Sequence, residues 1–198
     1  MPDARTAILD AAERLCAEHG LDGVSLRQIT EEAGQRNNAA VHYHFGGRDG
    51  LVRALFETHW AELEERRAVM LAGLDAAGRG DDVEELVRVM IAPFAEAEDG
   101  YWVRFVARLH EDPRFNPFAG SAPYASGREV MVTSTEVTRR LRAALGLAPG
   151  DADARLFLVT TMAVHAIADR HAMVDTGLPE PAKLLDSLVE AAVAVLTR

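Results

Sequence analysis

The chain contains one cysteine, Cys16, which excludes an intramolecular disulfide framework and a zinc site built from several cysteines. No apolar run approaches the ~20 residues that span a bilayer. The first residues, Met1 to Arg5, lack the apolar segment of a signal peptide. Basic residues are also scarce, because 21 lysines and arginines face 31 acidic residues, for a net charge of −10. These absences predict a cytoplasmic protein without a membrane partner, and they argue against nucleic-acid binding through bulk charge.

The charge is negative in both parts of the chain. Residues 1–50 hold five arginines and eight acidic residues, for a net charge of −3, and residues 51–198 hold sixteen basic and twenty-three acidic residues, for −7. Any interaction with DNA must therefore depend on where particular arginines lie. The apolar content of 48% and the charged content of 26% are those of an ordinary globular protein.

Helical patterns dominate the sequence and strand patterns are nearly absent, which predicts an all-α fold. Asp3 is a suitable N-cap for a first helix, which should end near His19 with Gly20 as the left-handed residue beyond it. The apolar residues of this helix recur at helical spacing, and Cys16 is among them. We expect Cys16 to be a buried small side chain, not a nucleophile.

Two short helices are predicted next. Ser25 to Gln28 form a capping box that opens the first of them, and Gly34 interrupts it after Ala33. A second short helix is expected from about Asn37 to His44. Two short helices joined by a tight turn, behind one longer helix, form a helix-turn-helix pattern, although such corners are also common in helical proteins that do not bind DNA.

The remaining sequence predicts further helices separated by glycine or proline. Their expected bounds are about 48–74, 82 to a kink or end at Pro93, 101–111, 128–145, 152–174 and 181–196. We predict two domains, residues 1–50 and residues 51–198.

Residues 23–51, GVSLRQITEEAGQRNNAAVHYHFGGRDGL, resemble the DNA-binding segment of the tetracycline-repressor (TetR) family of bacterial transcriptional regulators. The resemblance covers about residues 4–52. It implies a three-helix DNA-binding domain followed by a helical domain for effector binding and dimerisation. Three features depart from the family pattern: one extra residue between Gly34 and Phe45, His42 at a position usually held by a phosphate-contacting tyrosine, and Thr30 in place of a usual alanine.

The resemblance implies a set of DNA-binding residues. They come from the start of the first short helix, from the recognition helix and the residues before it, and from the start of the next helix. The set is Ser25, Arg27, Arg36, Asn37, Asn38, Ala39, His42, Tyr43, His44 and Arg48. Within this set, Arg27 and Arg48 are expected to contact phosphate, and residues at the start of the recognition helix to reach base edges.

Several of these residues have a second interpretation. Arg27 and Arg48 are either phosphate ligands or solvated surface charges, and Asn37 and Asn38 either reach a base or only cap and turn the chain. Tyr43 faces either the core or the DNA backbone. Outside the set, Val41 and Phe45 are expected to belong to the core.

Patterns for catalysis and metal binding are weak. His165 and Asp169 lie four residues apart, with His171 nearby, but a hydrogen-bonded polar pair is favoured over a metal site. No Ser-His-Asp order, phosphate-binding glycine loop or paired-carboxylate spacing stands out. We therefore predict no enzymatic activity, no metal and no cofactor.

Aromatic and methionine residues in the middle of the chain are candidates for an effector pocket. Ordinary core packing is the other interpretation for each of them, because a pocket also requires concavity and a few polar groups. The candidates are Trp60, Met90, Phe94, Trp102, Phe105, His110, Tyr124, Met162 and His165.

The last two long helices are apolar over more of their circumference than one packed face requires, which predicts a homodimer through a four-helix interface. The predicted interface residues are Leu156, Val159, Ala163, Ile167, Leu185, Leu188, Val189, Ala192 and Leu196. A fully buried central helix in a monomer is the other interpretation.

Together these features predict a TetR-like regulator, a repressor that binds a palindromic operator in double-stranded DNA as a homodimer. A small-molecule effector would release it by favouring a conformation with wrongly spaced recognition helices. Two alternatives remain: an all-α ligand carrier or enzyme, and a helical adaptor that binds another protein. Steeply salt-dependent binding to duplex DNA would distinguish the regulator from both.

Overall fold

The computed structural model describes residues 3–35, 39–97, 100–112, 114–115, 131–172 and 181–198. In these ranges the chain forms helices and no strand, which confirms the all-α prediction. The helices are α1 (Ala4–His19), α2 (Leu26–Glu32), α3 (Ala39–Phe45), α4 (Arg48–Ala76), α5 (Val83–Ala95), α6 (Gly100–Glu111), α7 (Val132–Leu145), α8 (Pro149–Ala172) and α9 (Pro181–Thr197).

The chain divides into two compact units. The first contains Met1–Trp60 and Tyr101–Ser126, and the second contains Ala61–Gly100 and Gly127–Arg198. The first unit therefore holds α1 to α3, the beginning of α4, and α6, and the second holds the rest of α4 with α5, α7, α8 and α9. The boundary predicted at residue 50 separates two functions, whereas these two units are defined by packing within the chain. The functional boundary therefore stays a prediction.

The N-terminal helices begin and end where local sequence rules place them. The Asp3 carboxylate accepts a hydrogen bond from the Thr6 backbone nitrogen at 2.7 Å. At the start of α2, the Ser25 hydroxyl accepts from the Gln28 backbone nitrogen at 3.2 Å, while the Gln28 side chain accepts from the Ser25 nitrogen at 2.8 Å. This is the predicted capping box.

Two helix boundaries in the second unit differ from the predictions, and a third was predicted as a kink or an end at Pro93. Helix α5 continues past Pro93 to Ala95, so Pro93 does not end it, and the kink stays a prediction. Helix α7 begins only at Val132, since Met131 has φ −109° and ψ 35°, outside the helical region. Helix α8 begins earlier than expected, with Pro149 in its first turn, where proline loses no helical hydrogen bond.

Helix α5 lies at the centre of the second unit, where it contacts α7, α8 and α9. Its inward residues pack with those of its neighbours. Buried side chains of this core include Leu86, Val87, Ile91, Val137, Leu141, Val164 and Ile167. Each contributes roughly 1.5–3 kcal/mol through removal of apolar surface from water.

Eight of the nine residues predicted for the dimer interface belong to this same core. Leu156, Val159, Ala163, Ile167, Leu188, Val189, Ala192 and Leu196 are buried within the single chain, and only Leu185 is half-buried. These eight side chains are therefore covered largely by their own chain, and their contact with a second copy stays a prediction. Helix α8 also directs Phe157 and Leu158 outward, with 41% and 56% of their surface exposed.

Among the described residues, none of the helices combines the length and apolar character required to cross a membrane.

Candidate functional site

The connection between α2 and α3 has the geometry of a tight helical corner. Gly34 adopts a left-handed φ of 68°, its nitrogen donates to the Glu31 carbonyl at 3.1 Å, and the Gln35 nitrogen donates to the Thr30 carbonyl at 2.8 Å. These two bonds form a Schellman motif, which ends α2 and turns the chain toward α3. Helix α1 packs against both short helices. The predicted helix-turn-helix is thus present.

Small and branched apolar side chains form the core beneath this motif. Ile8 and Cys16 of α1, Ile29 of α2 and Val41 of α3 are almost fully buried, as predicted for Cys16 and Val41. Thr30 is buried as well, where the family commonly has alanine. Its hydroxyl donates to the carbonyls of Leu26 at 3.1 Å and Arg27 at 2.9 Å, so the extra polar group is satisfied within α2.

The outer face of α3 carries aromatic and imidazole side chains. Tyr43 is 85% exposed, His42 is exposed, and His44 is half-buried with its ring 5.0 Å from the Tyr43 ring. The Tyr43 ring therefore does not face the core, and its contact with the DNA backbone stays a prediction. Phe45 was expected in the core, but it is only half-buried, and the Arg5 guanidinium lies over its ring at 5.4 Å from the centroid. A position at the end of a short helix leaves one side of the ring uncovered.

Two predicted contacts at the start of α2 lie on the surface. Ser25 is exposed and uses its hydroxyl in the helix cap. The Arg27 side chain is 76% exposed and pairs with Glu31 at 2.7 Å, one helical turn away. This carboxylate raises the pKa of Arg27. Exposed pairs of this kind are weak, so Arg27 can exchange Glu31 for a phosphate at little cost.

Arg48 is placed differently from the prediction. Its guanidinium is half-buried and donates to the backbone carbonyl of Leu21 at 2.7 Å and to that of Val24. Both carbonyls belong to the segment between α1 and α2. The side chain expected to hold a phosphate is thus directed into its own unit.

The remaining DNA-binding candidates surround the start of α3. Arg36, Asn37 and Asn38 lie outside the described residues, so their predicted roles stay predictions. Ala39 is exposed at the first position of α3.

The effector-pocket candidates fall in both compact units. Trp60, Trp102, Phe105 and His110 belong to the first unit, whereas Met90, Phe94, Met162 and His165 belong to the second. Tyr124 lies outside the described residues.

In the first unit, three candidates share one aromatic cluster. Trp60 stacks on Phe56 with ring centroids 4.7 Å apart, and Trp102 stacks on His59 at 4.6 Å and contacts Phe105 at 5.7 Å. The His59 Nε2 atom lies 2.7 Å from a carboxylate oxygen of the buried Glu13 on α1. Phe56 and His59 were not among the pocket residues predicted from the sequence. Phe56 could have been predicted, because it lies one helical turn before Trp60.

In the second unit, Met90 and Phe94 surround a buried ion pair that the sequence did not reveal. Arg67 donates to Glu64 at 3.2 Å and to the Met90 carbonyl at 3.0 Å, and its guanidinium lies 5.2 Å from the centre of the Phe94 ring. Burial lowers the pKa of Arg67, and the Glu64 charge opposes this effect. No local signal distinguishes these two residues from the solvated charges around them on α4.

A polar cleft of about 480 Å³ lies in the first unit. It is open to solvent and is lined by Gly20, Leu21, Asp22, Arg108, Glu111, Asp112 and Arg114. Arg114 is held there by Asp22 at 2.6 Å and by Asp112. Over the described residues, its lining includes none of the predicted effector candidates. The described residues also contain no group of three histidine, cysteine or acidic side chains placed to hold a metal ion.

The helix-turn-helix region matches a known family. Residues 8–55 match the model described as bacterial regulatory proteins of the tetR family. Residues 8–55 are therefore a segment of the tetR-family type. This match covers most of α1, all of α2 and α3, and the first turns of α4.

Curated TetR-family relatives resemble part of the chain. The HTH-type transcriptional repressor AcnR of Corynebacterium glutamicum is 36% identical over 117 residues, which cover 58% of this chain and 53% of AcnR. The chain thus spans about half the length of the curated relatives it matches. This similarity supports the family assignment and leaves the function of the whole protein to be proposed.

Solved structures share the fold along nearly the whole chain. NalD, the secondary repressor of the MexAB-OprM multidrug efflux pump in Pseudomonas aeruginosa, matches with a TM-score of 0.59 and 24% identity, covering 98% of this chain and 97% of NalD. The multidrug binding protein EbrR, solved in complex with malachite green, matches with a TM-score of 0.62 and 20% identity, covering 98% of both chains. The predicted all-α TetR fold with an N-terminal helix-turn-helix is confirmed.

Proposed function

We propose that this protein is a DNA-binding transcriptional repressor that acts as a homodimer on a palindromic operator and is released by a small-molecule effector. The observation that carries the proposal is the exposed outer face of α3, presented by a Schellman corner inside the segment that matches the tetR family model. A helix in this arrangement fits the major groove, while the preceding helix crosses the DNA backbone.

The roles of the contact residues follow from their exposure. His42, Tyr43 and His44 lie on or beside the outer face of α3 and would contact bases or the adjacent backbone, together with Arg36, Asn37, Asn38 and Ala39 before them. Arg27 would contact phosphate, and Ser25 keeps it at the N-terminus of α2 through the capping box. Because the whole chain has a net charge of −10, this local surface must supply the affinity.

Dimerisation is proposed through α8 and α9. Phe157 and Leu158 leave an apolar surface exposed on α8, and α9 also carries half-buried apolar residues such as Leu185. A two-fold pair of chains would present two copies of α3 to successive turns of the major groove, about 34–36 Å apart. This symmetry is the reason to expect a palindromic operator.

An effector would act by differential binding to two conformations of the dimer. The aromatic cluster around Trp102 and the buried pair of Glu64 and Arg67 are the two candidate regions, each in its own unit. EbrR, which shares the fold, was solved with malachite green, and this supports a small organic molecule as the type of ligand. A cytoplasmic location belongs to the same proposal.

The carrier, enzyme and adaptor alternatives are not favoured, because the matched family and relatives are transcriptional regulators. Selection of binding sites from random duplex DNA tests the proposal directly. We expect recovery of one palindromic motif, bound with a steep dependence on salt. Recovery of random sequences only would reject the proposed function.

The dimer surface has its own test. Leu158→Glu should place a charge in the proposed interface and give a monomer in sedimentation at micromolar concentration, whereas Val69→Glu should not. Val69 is a suitable control because it is 74% exposed on α4 of the same unit. A dimeric Leu158→Glu variant would move the interface elsewhere.

A further inference from the structure

We propose that Arg48 is a positioning residue for DNA recognition: it holds the segment between α1 and α2 in place, and it does not act as a phosphate ligand. The inference rests on the proposed function, since it concerns how this motif binds DNA. It differs from the role that the TetR resemblance implies for the basic residue at the start of α4.

The geometry of the guanidinium carries the inference. Arg48 is the first residue of α4, and its two terminal nitrogens donate to the carbonyls of Leu21 and Val24. Leu21 and Val24 are buried residues in the connection that follows Gly20 and precedes the Ser25 cap. A planar guanidinium has donors in a fixed fork, so it can bind two carbonyls at once, which the single ammonium group of lysine does less well.

The segment that Arg48 holds also approaches the end of α1 closely. A Cβ atom placed on Gly23 would lie 2.1 Å from the His19 carbonyl oxygen. The connection is therefore in contact with α1 at Gly23 and with the Arg48 side chain at Leu21 and Val24. Buried carbonyls that lose their donor are costly, so removal of Arg48 should let this segment move to reach water.

A second observation locates the charge of Arg48 inside the unit. Burial raises the pKa of the Cys16 thiol to about 11, and the nearby Arg48 charge acts in the opposite direction. Cys16 is almost fully buried on α1. A charge that acts on this thiol and bonds two backbone carbonyls is oriented toward the interior of the motif.

The consequence for DNA binding concerns α2. Val24 directly precedes Ser25, so the position of Val24 sets where α2 begins and where Arg27 meets the DNA. Loss of Arg48 should shift α2 and the helix α3 that contacts it, so that the base contacts of α3 fit the operator less well while Arg27 still reaches a phosphate. It should not remove a released counterion, so the slope of log affinity against log salt should stay unchanged.

Three variants of the full chain separate these roles. Arg48→Lys keeps the charge, Arg48→Met removes it, and Arg53→Met is a control for loss of an exposed arginine on the same helix. Affinity is measured by titration of the selected operator and of a random duplex over a range of salt concentrations. Each measurement is made at a temperature where circular dichroism shows the variant to be folded.

We expect both Arg48 variants to bind the operator about tenfold or more weakly than the native chain, with the salt slope and the random-duplex affinity retained. Arg53→Met should bind like the native chain. If Arg48→Lys binds normally and the slope of log affinity against log salt is smaller by about 0.9 for Arg48→Met, Arg48 is a phosphate ligand and the inference is wrong. Native-like operator binding by both Arg48 variants would also overturn it. If Arg48→Met does not fold, the comparison is decided by Arg48→Lys.

Hydrogen exchange of the DNA-free protein distinguishes failure of this inference from failure of the proposed function. Backbone amides of residues 20–28 should exchange faster in Arg48→Lys than in Arg53→Met, even if the native chain binds no duplex. Equal exchange in the two variants would reject the positioning role by itself.

Discussion

The Glu64 carboxylate on α4 lies 3.1 Å from the backbone nitrogen of Ser134 in the first turn of α7. The same carboxylate accepts a hydrogen bond from the Thr133 nitrogen at 2.6 Å. Within the described residues, the N-cap residue of α7, Met131, provides no side-chain hydrogen bond. Glu64 therefore caps α7 from another helix, where its negative charge also meets the positive end of the helix dipole.

Replacement of this carboxylate should destabilise the protein. Glu64→Gln removes the charge that faces the buried Arg67 guanidinium, and breaking a buried pair in this way costs about 3–5 kcal/mol. Urea denaturation measures the loss in the free energy of unfolding. Glu65→Gln, at an exposed neighbouring position, should change it by less than about 0.5 kcal/mol. Equal stability of the two variants would show that the pair contributes little.

Two glycines of α4 should respond oppositely to alanine. A Cβ atom on Gly50 would lie 1.7 Å from the Phe45 carbonyl oxygen, so Gly50→Ala must displace the end of α3 and should lower the thermal midpoint. Around Gly73 there is nothing within 4 Å of a Cβ atom among the described residues, and Gly73→Ala should stabilise the helix by up to about 1 kcal/mol. Thermal unfolding of both variants checks the contrast, and a gain in stability for Gly50→Ala would contradict the close approach.

Acid should remove the contribution of the Glu136 ion pairs to the free energy of unfolding. Hydrogen bonds from Arg139 and Arg140, both at 2.7 Å, lower the pKa of Glu136 from 4.5 to about 2. Since the folded-state pKa is depressed, the contribution is present above pH 4.5 and is lost as the pH falls toward 2. The stability difference between the native chain and Glu136→Gln should therefore be larger at pH 6 than at pH 3 in urea titrations.

The exposed Glu190 offers a control for this pH dependence, since Glu190→Gln removes a carboxylate from α9 without touching the arginine pairs of Glu136. A Glu136→Gln difference that is the same at both pH values would mean that the ion pairs do not persist in solution.

Arg27 and Tyr43 should affect DNA binding in different ways. Arg27→Ala should weaken binding to all duplexes and reduce the salt slope by about 0.9, because it removes a phosphate contact. Tyr43→Ala, at a fully exposed position, should instead change the preferred sequence when the selection from random DNA is repeated. Asn38→Ala is expected to act like Tyr43→Ala. Equal effects of all three on operator and random DNA would reject this division of roles.

Local rules explain why the N-terminal motif could be predicted from the sequence. The caps at Asp3 and Ser25 and the turn at Gly34 each involve groups within about five residues, so their spacing is visible in the chain. These elements also carry the resemblance to the TetR family.

Long-range partners were not predictable in this way. Arg48 meets a carbonyl 27 residues away, and Glu64 meets Ser134 at a separation of 70 residues. Apolar periodicity likewise shows that α8 and α9 are covered on several sides, but it does not show whether their own chain or a second copy covers a given residue. For Val159 and Leu196 the cover comes from the same chain.

The burial of Cys16 makes the native chain suitable for spectroscopic probes. A thiol that is 1% exposed with a pKa of about 11 reacts slowly with maleimides or spin labels near neutral pH. A cysteine introduced on the surface, as in Tyr43→Cys, would be labelled selectively while Cys16 stays in place. In the proposed homodimer, electron-spin distances between the two labels would then report the separation of the α3 helices, with and without a bound molecule, in an otherwise unaltered protein.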